Sequence, residues 1–461
     1  MAEPPATRSH PGAGLVSAGQ EALWLAHQLA PDSSAFNVVL AVRLRDPVDT
    51  DVLQDALTAV AARHELLRSR FAATDEGPVR TTVPPASVRL DVREVPGVAE
   101  AELFRLATGA GEEPFRPASQ GAFRAVLLRR GPADAVLVTA THHIVSDATS
   151  QWLLVRDLFA EYGARTGQDA PPPAEPADWD RQVRAERDFV AGARGARAAA
   201  HWRGICDGLP AAELPTDRPR PPHRLLDGAT HELVWDPQTG QRLRSAAAER
   251  GLTPFAWLLG TFQAALHRSG CGDDFLIGCP ATTRFTPETR QAVGYYVNAL
   301  PMAARFTPHT PLLATVEAAQ DQLRRGLAHA RYPVELLGGS AARGPLFRIS
   351  CTLVAADRLP VPGLYEGPVR LGGLRAELCD VPQQEGQLDL TVEVLQDSRG
   401  FKAVLRYDTA LFDAATLDRF AATWQRLLDV SLDAPHTPVA DVALAAQDDL
   451  DFLLALGTEA A

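Results

Sequence analysis

Residues 135–148 read Ala-Val-Leu-Val-Thr-Ala-Thr-His-His-Ile-Val-Ser-Asp-Ala, and the character of the chain changes in the middle of them. The first seven, Ala135 to Thr141, form a short, apolar, β-branched run, the composition of a buried strand. Beyond Asp147, Trp152, Val155, Phe159 and Tyr162 recur three or four positions apart, which predicts a helix with one apolar face. His142 and His143 therefore stand at a strand-to-helix junction. Neighbouring side chains of a strand point to opposite faces, so one imidazole reaches a cavity while the other packs against the layer behind it. Asp147 stands where a helix N-cap would, its carboxylate placed to accept from a free backbone N–H.

Outward from this junction the chain alternates between helical and extended patterns. Helix-like periodicity covers Ala18–Leu29 and Thr50–His64, and strand-like runs cover Val88–Val92 and Phe123–Leu128. The segment Gly167–Asp178 (GQDAPPPAEPAD) carries the composition of a connector, which places a lobe boundary near residue 175. An Arg/Ala-rich helix is expected from Trp179 to Cys206, then a second proline-rich stretch, Leu214–Pro222. The second half repeats the mixture. Helical runs fall at Pro237–Arg250, Pro254–Leu266 and Leu312–Arg331, and strand-like runs at Phe275–Cys279, Phe347–Val354, Leu388–Leu395 and Phe401–Tyr407. The last two bracket Asp397-Ser398-Arg399-Gly400, a hairpin turn. The expected fold is α/β in two similar lobes, residues 1–175 and 176–461, each with antiparallel pairing.

Length and composition bound the function. A chain of 461 residues is long enough for two medium cores, and 46% apolar with 22% charged residues excludes a mainly disordered or fibrous protein. The net charge of −12 opposes phosphate backbones and anionic bilayers, so neither nucleic acid nor membrane is expected as principal partner. The five cysteines are scattered without metal-ligand spacing, and no third or fourth ligand accompanies the histidine pair, so no metal is expected. With no apolar run of 18 residues and no signal-like start, a cytoplasmic location is expected.

Locally, His142 and His143 read either as a hydrogen-bonded core pair with Asp147 as helix cap, or as catalytic groups. A longer-range resemblance favours the second. Ser17-Ala18-Gly19-Gln20 through Leu23-Trp24 resembles SxAQxRLW, with Gly19 for the second Ala and Ala22 for its Arg; Arg63 to Phe71 resembles RHExLRTxF; His142 to Ala148 resembles HHxxxDG, with Ala148 for the Gly. Leu214–Pro219 resembles LPTDRP, Val293–Asn298 resembles IGxFVN, Tyr332–Glu335 resembles YPFE, and Tyr407–Phe412 resembles YxTxLF. In that order these motifs are those of the condensation domains of nonribosomal peptide synthetases, within the superfamily of chloramphenicol acetyltransferase.

The resemblance implies two acetyltransferase-like lobes in a V with a tunnel between them. It implies transfer of an acyl group from the 4′-phosphopantetheine arm of a carrier protein, acting in trans, to an amine or hydroxyl, with no bound cofactor. Within the motif His143 is the residue at the nucleophile, His142 is structural, and Asp147 pairs with an arginine, Arg284 first or Arg63 second. Ser146, Ala148, Tyr296 and Asn298 are carried over as substrate-side residues. Tyr295, Tyr296 and Trp24 read as tunnel wall or core, Asn298 as tunnel lining or turn former, and Arg324, Arg325 and Arg331 as a carrier-protein patch or a solvated helix face. A free-standing enzyme, of the kind that tailors enediyne scaffolds, is the expected form. A recruitment module without catalysis, or an epimerase-like member, is the alternative.

Overall fold

The computed structural model describes residues 14–75, 77–168, 175–221, 226–338, 345–361, 363–382 and 387–444. Part of the expected connector, 169–174, and Pro222 of the second proline-rich stretch lie outside them. The first half runs through α1 (Ala18–Leu29), β1 (Asn37–Leu44), α2 (Thr50–Arg63), a hairpin of β2 (Ser69–Thr74) and β3 (Gly77–Thr82), β4 (Leu90–Glu94), α3 (Glu100–Glu112), β5 (Phe123–Gly131), β6 (Asp134–His142) and α4 (Ala148–Arg165). Next come α5 (Trp179–Ala191) and α6 (Ala193–Cys206).

The single helix expected over 179–206 is broken at Gly192, and Gly195 explains how tightly the break is folded. A Cβ on Gly195 would stand 2.3 Å from the Phe189 carbonyl oxygen, so only glycine lets the two helices meet this closely.

The second half contains β7 (Gly228–Val234), α7 (Pro237–Glu249), α8 (Pro254–Leu266), β8 (Asp274–Thr282), β9 (Val297–Arg305), α9 (Leu312–Leu327), β10 (Ile349–Ala355), β11 (Val369–Leu371), β12 (Leu374–Cys379), β13 (Leu390–Gln396), β14 (Phe401–Asp408) and α10 (Ala414–Asp433). Two six-stranded sheets result, ordered β11-β12-β1-β6-β5-β4 and β7-β14-β13-β10-β8-β9. Pairing is mixed rather than wholly antiparallel: β4 lies parallel to β5, and β10 parallel to both β8 and β13. Residues 369–379 come after the expected boundary at 175/176, yet β12 pairs with β1 and completes the first sheet. The two lobes are thus stitched by a strand exchange as well as by the connector.

Burial follows the period of two. In β1, Leu40, Val42 and Leu44 join Leu53, Leu57, Val155 and Leu158 of α2 and α4 on one face, while Val39 and Ala41 join Leu103 and Ala107 of α3 on the other. The second lobe has one large core centred on α8, with Trp257, Phe262 and Trp424. A fourth cluster lies along the seam. It combines Val16, Trp24, Phe71, Ile144 and Val145 of the first half with Trp179, Val183, Ala292 and Tyr296 of the second. This seam packs directly beneath the histidine junction.

Candidate active site

The strand β6 ends at His142 because its pairing partner does: His142 lies opposite Asn37, and the next residue, His143, donates its backbone N–H to the Phe36 carbonyl at 2.7 Å. The chain then makes one tight turn, His143–Val145, before α4. As the strand geometry requires, the two rings part company. His142 is buried against His27, Phe36 and Phe115, and its Nδ1 accepts the Ile144 N–H at 3.1 Å, capping the turn. Its proton therefore sits on Nε2, which has no partner among the described residues. Burial, with smaller contributions from His27 and His143, pulls its pKa down to about 3, so His142 stays neutral. It shapes the turn.

His143 is half-exposed on the other side. Its Nδ1 is 2.7 Å from the carbonyl oxygen of Ser146. A carbonyl only accepts, so Nδ1 carries the hydrogen and Nε2 is left with a free lone pair. Ser146 is fully buried; it serves through its backbone carbonyl, while its hydroxyl donates to the Asp147 carbonyl.

Asp147 accepts four hydrogen bonds. Oδ1 takes the Ser150 N–H at 2.7 Å, the Ser150 hydroxyl at 2.7 Å and an Arg284 N–H at 2.8 Å; Oδ2 takes the Tyr296 N–H at 3.1 Å. The first is the helix cap, the third the ion pair, so both local readings of Asp147 hold at once. Arg284 follows β8 in the second lobe, is 6% exposed, donates to the Thr289 and Ala292 carbonyls, and lies 4.4 Å from the centre of the Tyr296 ring. Arg63, the other candidate partner, stands at the end of α2 and faces Asp157 of α4 at 3.5 Å instead, beside His64.

Three other residues find their places in the fold. Ala148 is simply the first residue of α4 with an exposed side chain, and among the described residues only Leu226 combines a side chain with positive φ, so the missing glycine imposes no backbone strain. Asn298, read as tunnel lining or turn former, is no turn former: it sits within β9, lines the cavity between the lobes, and its amide donates to the Ala330 and Tyr332 carbonyls while its oxygen accepts the Val334 N–H, which holds residues 330–334. Trp24 is core, 5% exposed against Phe71. Arg324 and Arg325 pair with Asp321 on an exposed face of α9, while Arg331 lies over Phe189.

Sequence reasoning passed over Gln20 as a site residue, although it belongs to the opening motif. Fully buried, it donates to the Ile144 carbonyl at 2.7 Å and accepts from Trp179 Nε1 at 3.0 Å, tying the histidine turn to α1 and α5. Ser150 and Gly294 were also missed. The Ser150 hydroxyl is 3.0 Å from the Gly294 N–H and 2.9 Å from its carbonyl, so the 294–296 backbone is pinned to the head of α4. A lone serine in the first turn of a helix carries no signal of such a partner in the other lobe.

Between the lobes lies a cavity of about 130 Å³ whose walls include Ser17, Glu186, Tyr295, Tyr296, Asn298 and Glu335. Burial pushes both glutamates above the ordinary carboxylate range, and for Glu335 the nearby Glu186 adds to the rise. His143 is not part of this wall. Tyr295 is, and it also meets the imidazole edge-on at 5.3 Å between centroids. Among the described residues no cluster of His, Cys, Asp or Glu is arranged to hold a metal ion, and no helix is long and apolar enough to cross a membrane.

With this geometry in view, comparison with known proteins identifies the class. The condensation-domain family matches residues 13–454, and the chain belongs to that family. It is 32% identical over 470 residues to a probable non-canonical nonribosomal peptide synthetase, CymA, of Salinispora arenicola, covering 97% of this chain and 6% of that protein. It is 30% identical over 457 residues to the phosphinothricin tripeptide synthetase PhsC of Streptomyces viridochromogenes, covering 95% of this chain and 41% of that one. The chain thus spans less than half the length of these relatives. Among solved structures, the X-domain from teicoplanin biosynthesis superposes with a TM-score of 0.83 at 24% identity, covering 95% of this chain and all of that one. The first condensation domain of the calcium-dependent antibiotic synthetase in complex with a substrate analogue superposes with a TM-score of 0.73 at 25% identity, covering 94% and 100%. The architecture is accordingly that of two chloramphenicol-acetyltransferase-like lobes.

Proposed function

We propose that the chain catalyses condensation: an acyl or aminoacyl group, presented as a thioester on the phosphopantetheine arm of a carrier protein, passes to an amine or hydroxyl to form an amide or ester. The observation that carries this reading is the 2.7 Å contact between His143 Nδ1 and the Ser146 carbonyl oxygen. With Nδ1–H donated to the Ser146 carbonyl, Nε2 is a free base on the half-exposed side of the ring. The nucleophile's N–H or O–H proton passes to Nε2 as its lone pair attacks the thioester carbonyl. The C–S bond then breaks, and the departing thiolate takes the proton from the imidazolium, leaving free pantetheine thiol. The Ser146 carbonyl, facing Nδ1–H, favours the transient positive charge on the ring.

The test is product formation by purified protein given an acyl-loaded carrier protein and a panel of amines and alcohols. Loss of a general base lowers rates by about 10²–10⁴, and His143→Ala is expected to fall by that factor with its fold intact. Equal turnover by parent and variant removes His143 from the mechanism. A recruitment role is the second reading, supported by Tyr295, which separates the cavity from His143. Carrier binding without product from either protein would favour it.

A further inference from the structure

We propose that Tyr295 is a gate that decides which acceptors reach His143. The ring stands between the two features a transfer reaction has to connect. On one side its edge contacts the imidazole; on the other it forms part of the wall of the inter-lobe cavity, from which His143 is absent.

The gate is a side-chain device. The backbone around it is fixed at both neighbours, Gly294 by Ser150 and Tyr296 by Asp147. The Tyr295 hydroxyl, by contrast, has no hydrogen-bond partner among the described residues, so packing alone holds the ring in place. Its resting place is carved out of α1. A Cβ on Gly19 would lie 2.4 and 2.8 Å from the Cε1 and Cδ1 atoms of Tyr295, inside van der Waals contact, so the ring occupies the space an alanine methyl would fill. Glycine at 19 and tyrosine at 295 are therefore two halves of one arrangement: a helix surface without a side chain, and a large ring seated on it. Rotation of that ring about χ1 opens the cavity toward Nε2 without moving either lobe. Its size and position favour slender acceptors and exclude bulky ones while it is seated.

This inference rests on the condensation reading, and its test has one arm that does not. Diethyl pyrocarbonate modifies accessible imidazoles, and the rate of carbethoxylation at His143, assigned by fragment-ion mass spectrometry that separates it from the adjacent buried His142, reports access to that ring. Tyr295→Ala is expected to raise the rate at least about fivefold over the parent, and Tyr295→Phe, which keeps the ring, to leave it unchanged. Gly19→Ala is expected to alter the rate in the parent by unseating the ring and to have no effect in the Tyr295→Ala background. In the second arm, condensation is measured over acceptors of increasing girth, where Tyr295→Ala should lower KM for the bulkier members with a smaller change in kcat. Unchanged carbethoxylation in a folded Tyr295→Ala protein overturns the gate, as does an unchanged acceptor profile where product forms. Faster carbethoxylation with no product from any protein sustains the screening role of the ring and overturns the condensation reading instead.

Discussion

Removal of the Arg284 guanidinium is the perturbation for which the structure gives the firmest magnitude. Asp147 and Arg284 are 2% and 6% exposed, and the pair joins the first turn of α4 to the segment after β8 in the other lobe. In Arg284→Ala the carboxylate keeps its three donors from Ser150 and Tyr296 but loses its counter-charge, while the Thr289 and Ala292 carbonyls lose their donor. Stranding a buried charge in this way costs about 3–5 kcal/mol. At about 2–4 °C per kcal/mol for a unit the size of one lobe, the melting temperature should fall by about 6–20 °C. Asp147→Ala should cost as much, because it strands the guanidinium and uncaps α4 together. The double variant should cost less than the sum, since each single change already forfeits the shared contact. Calorimetric melts of the four proteins complete the cycle. Single variants within about 0.5 kcal/mol of the parent, or strict additivity in the pair, would refute the view that this ion pair clamps the lobes.

Other consequences follow from individual groups. His142 takes up no second proton in the folded protein until about pH 3, whereas in the unfolded chain it does so near 6.5, so its contribution to stability is complete above pH 6.5 and declines by about 1.4 kcal/mol per pH unit as the pH falls toward 3. His142→Asn, whose side-chain oxygen can still accept from Ile144, should flatten the slope of stability against pH in that window by one proton, read from denaturant melts at stepped pH; an unchanged slope would show that the buried ring is already charged. Asn298→Ala leaves two carbonyls and one N–H without their partner and should destabilise by about 2–4 kcal/mol, whereas a residue that contacts substrate would leave the melt unchanged and raise KM. Gly195→Ala forces a methyl against the Phe189 and Val190 backbone and should cost about 1–3 kcal/mol, with the loss of helix contact visible as faster hydrogen exchange over 186–200; wild-type exchange there would refute the view that the α5–α6 junction admits only glycine.

What the sequence disclosed and what it withheld divide along physical lines. The helices at Ala18–Leu29, amphipathic, and Pro254–Leu266, buried all round, were legible nearly to the residue, because helix-forming composition and the cap chemistry of Ser17 and Thr253-Pro254 are local. Strand β1, Asn-Val-Val-Leu-Ala-Val-Arg-Leu, was missed although it lies at the centre of the first sheet. Both of its faces are covered, so it shows no alternation, and eight apolar-rich residues read equally as strand or buried helix. Strands β11 and β12 were missed for another reason. They are short; β12 is a strand because it pairs with β1, more than 300 residues earlier, and β11 because it pairs with β12. The histidine junction was legible because it is a change of period within 14 residues. The partner Arg284 came from the motif resemblance, and Gln20 and Ser150 acquire their roles from neighbours that only the folded chain supplies.

The double use of Asp147 shows why the local and the long-range readings of that residue were never true rivals. A helix cap needs one lone pair on one carboxylate oxygen, and a carboxylate has about four such sites. Capping Ser150 therefore leaves Oδ1 able to receive Arg284 and Oδ2 able to receive the Tyr296 N–H. A neutral cap such as Ser or Asn would start the helix as well but would hold no arginine. The charge is what recruits the second lobe, and the second oxygen is what sets the backbone that carries Tyr295 at a fixed position relative to His143. The same carboxylate thus begins α4, joins the lobes and fixes the distance across which the imidazole and the tyrosine ring meet, so Asp147→Ala must alter all three together, whereas Asp147→Asn keeps the cap and gives up the charge that holds Arg284.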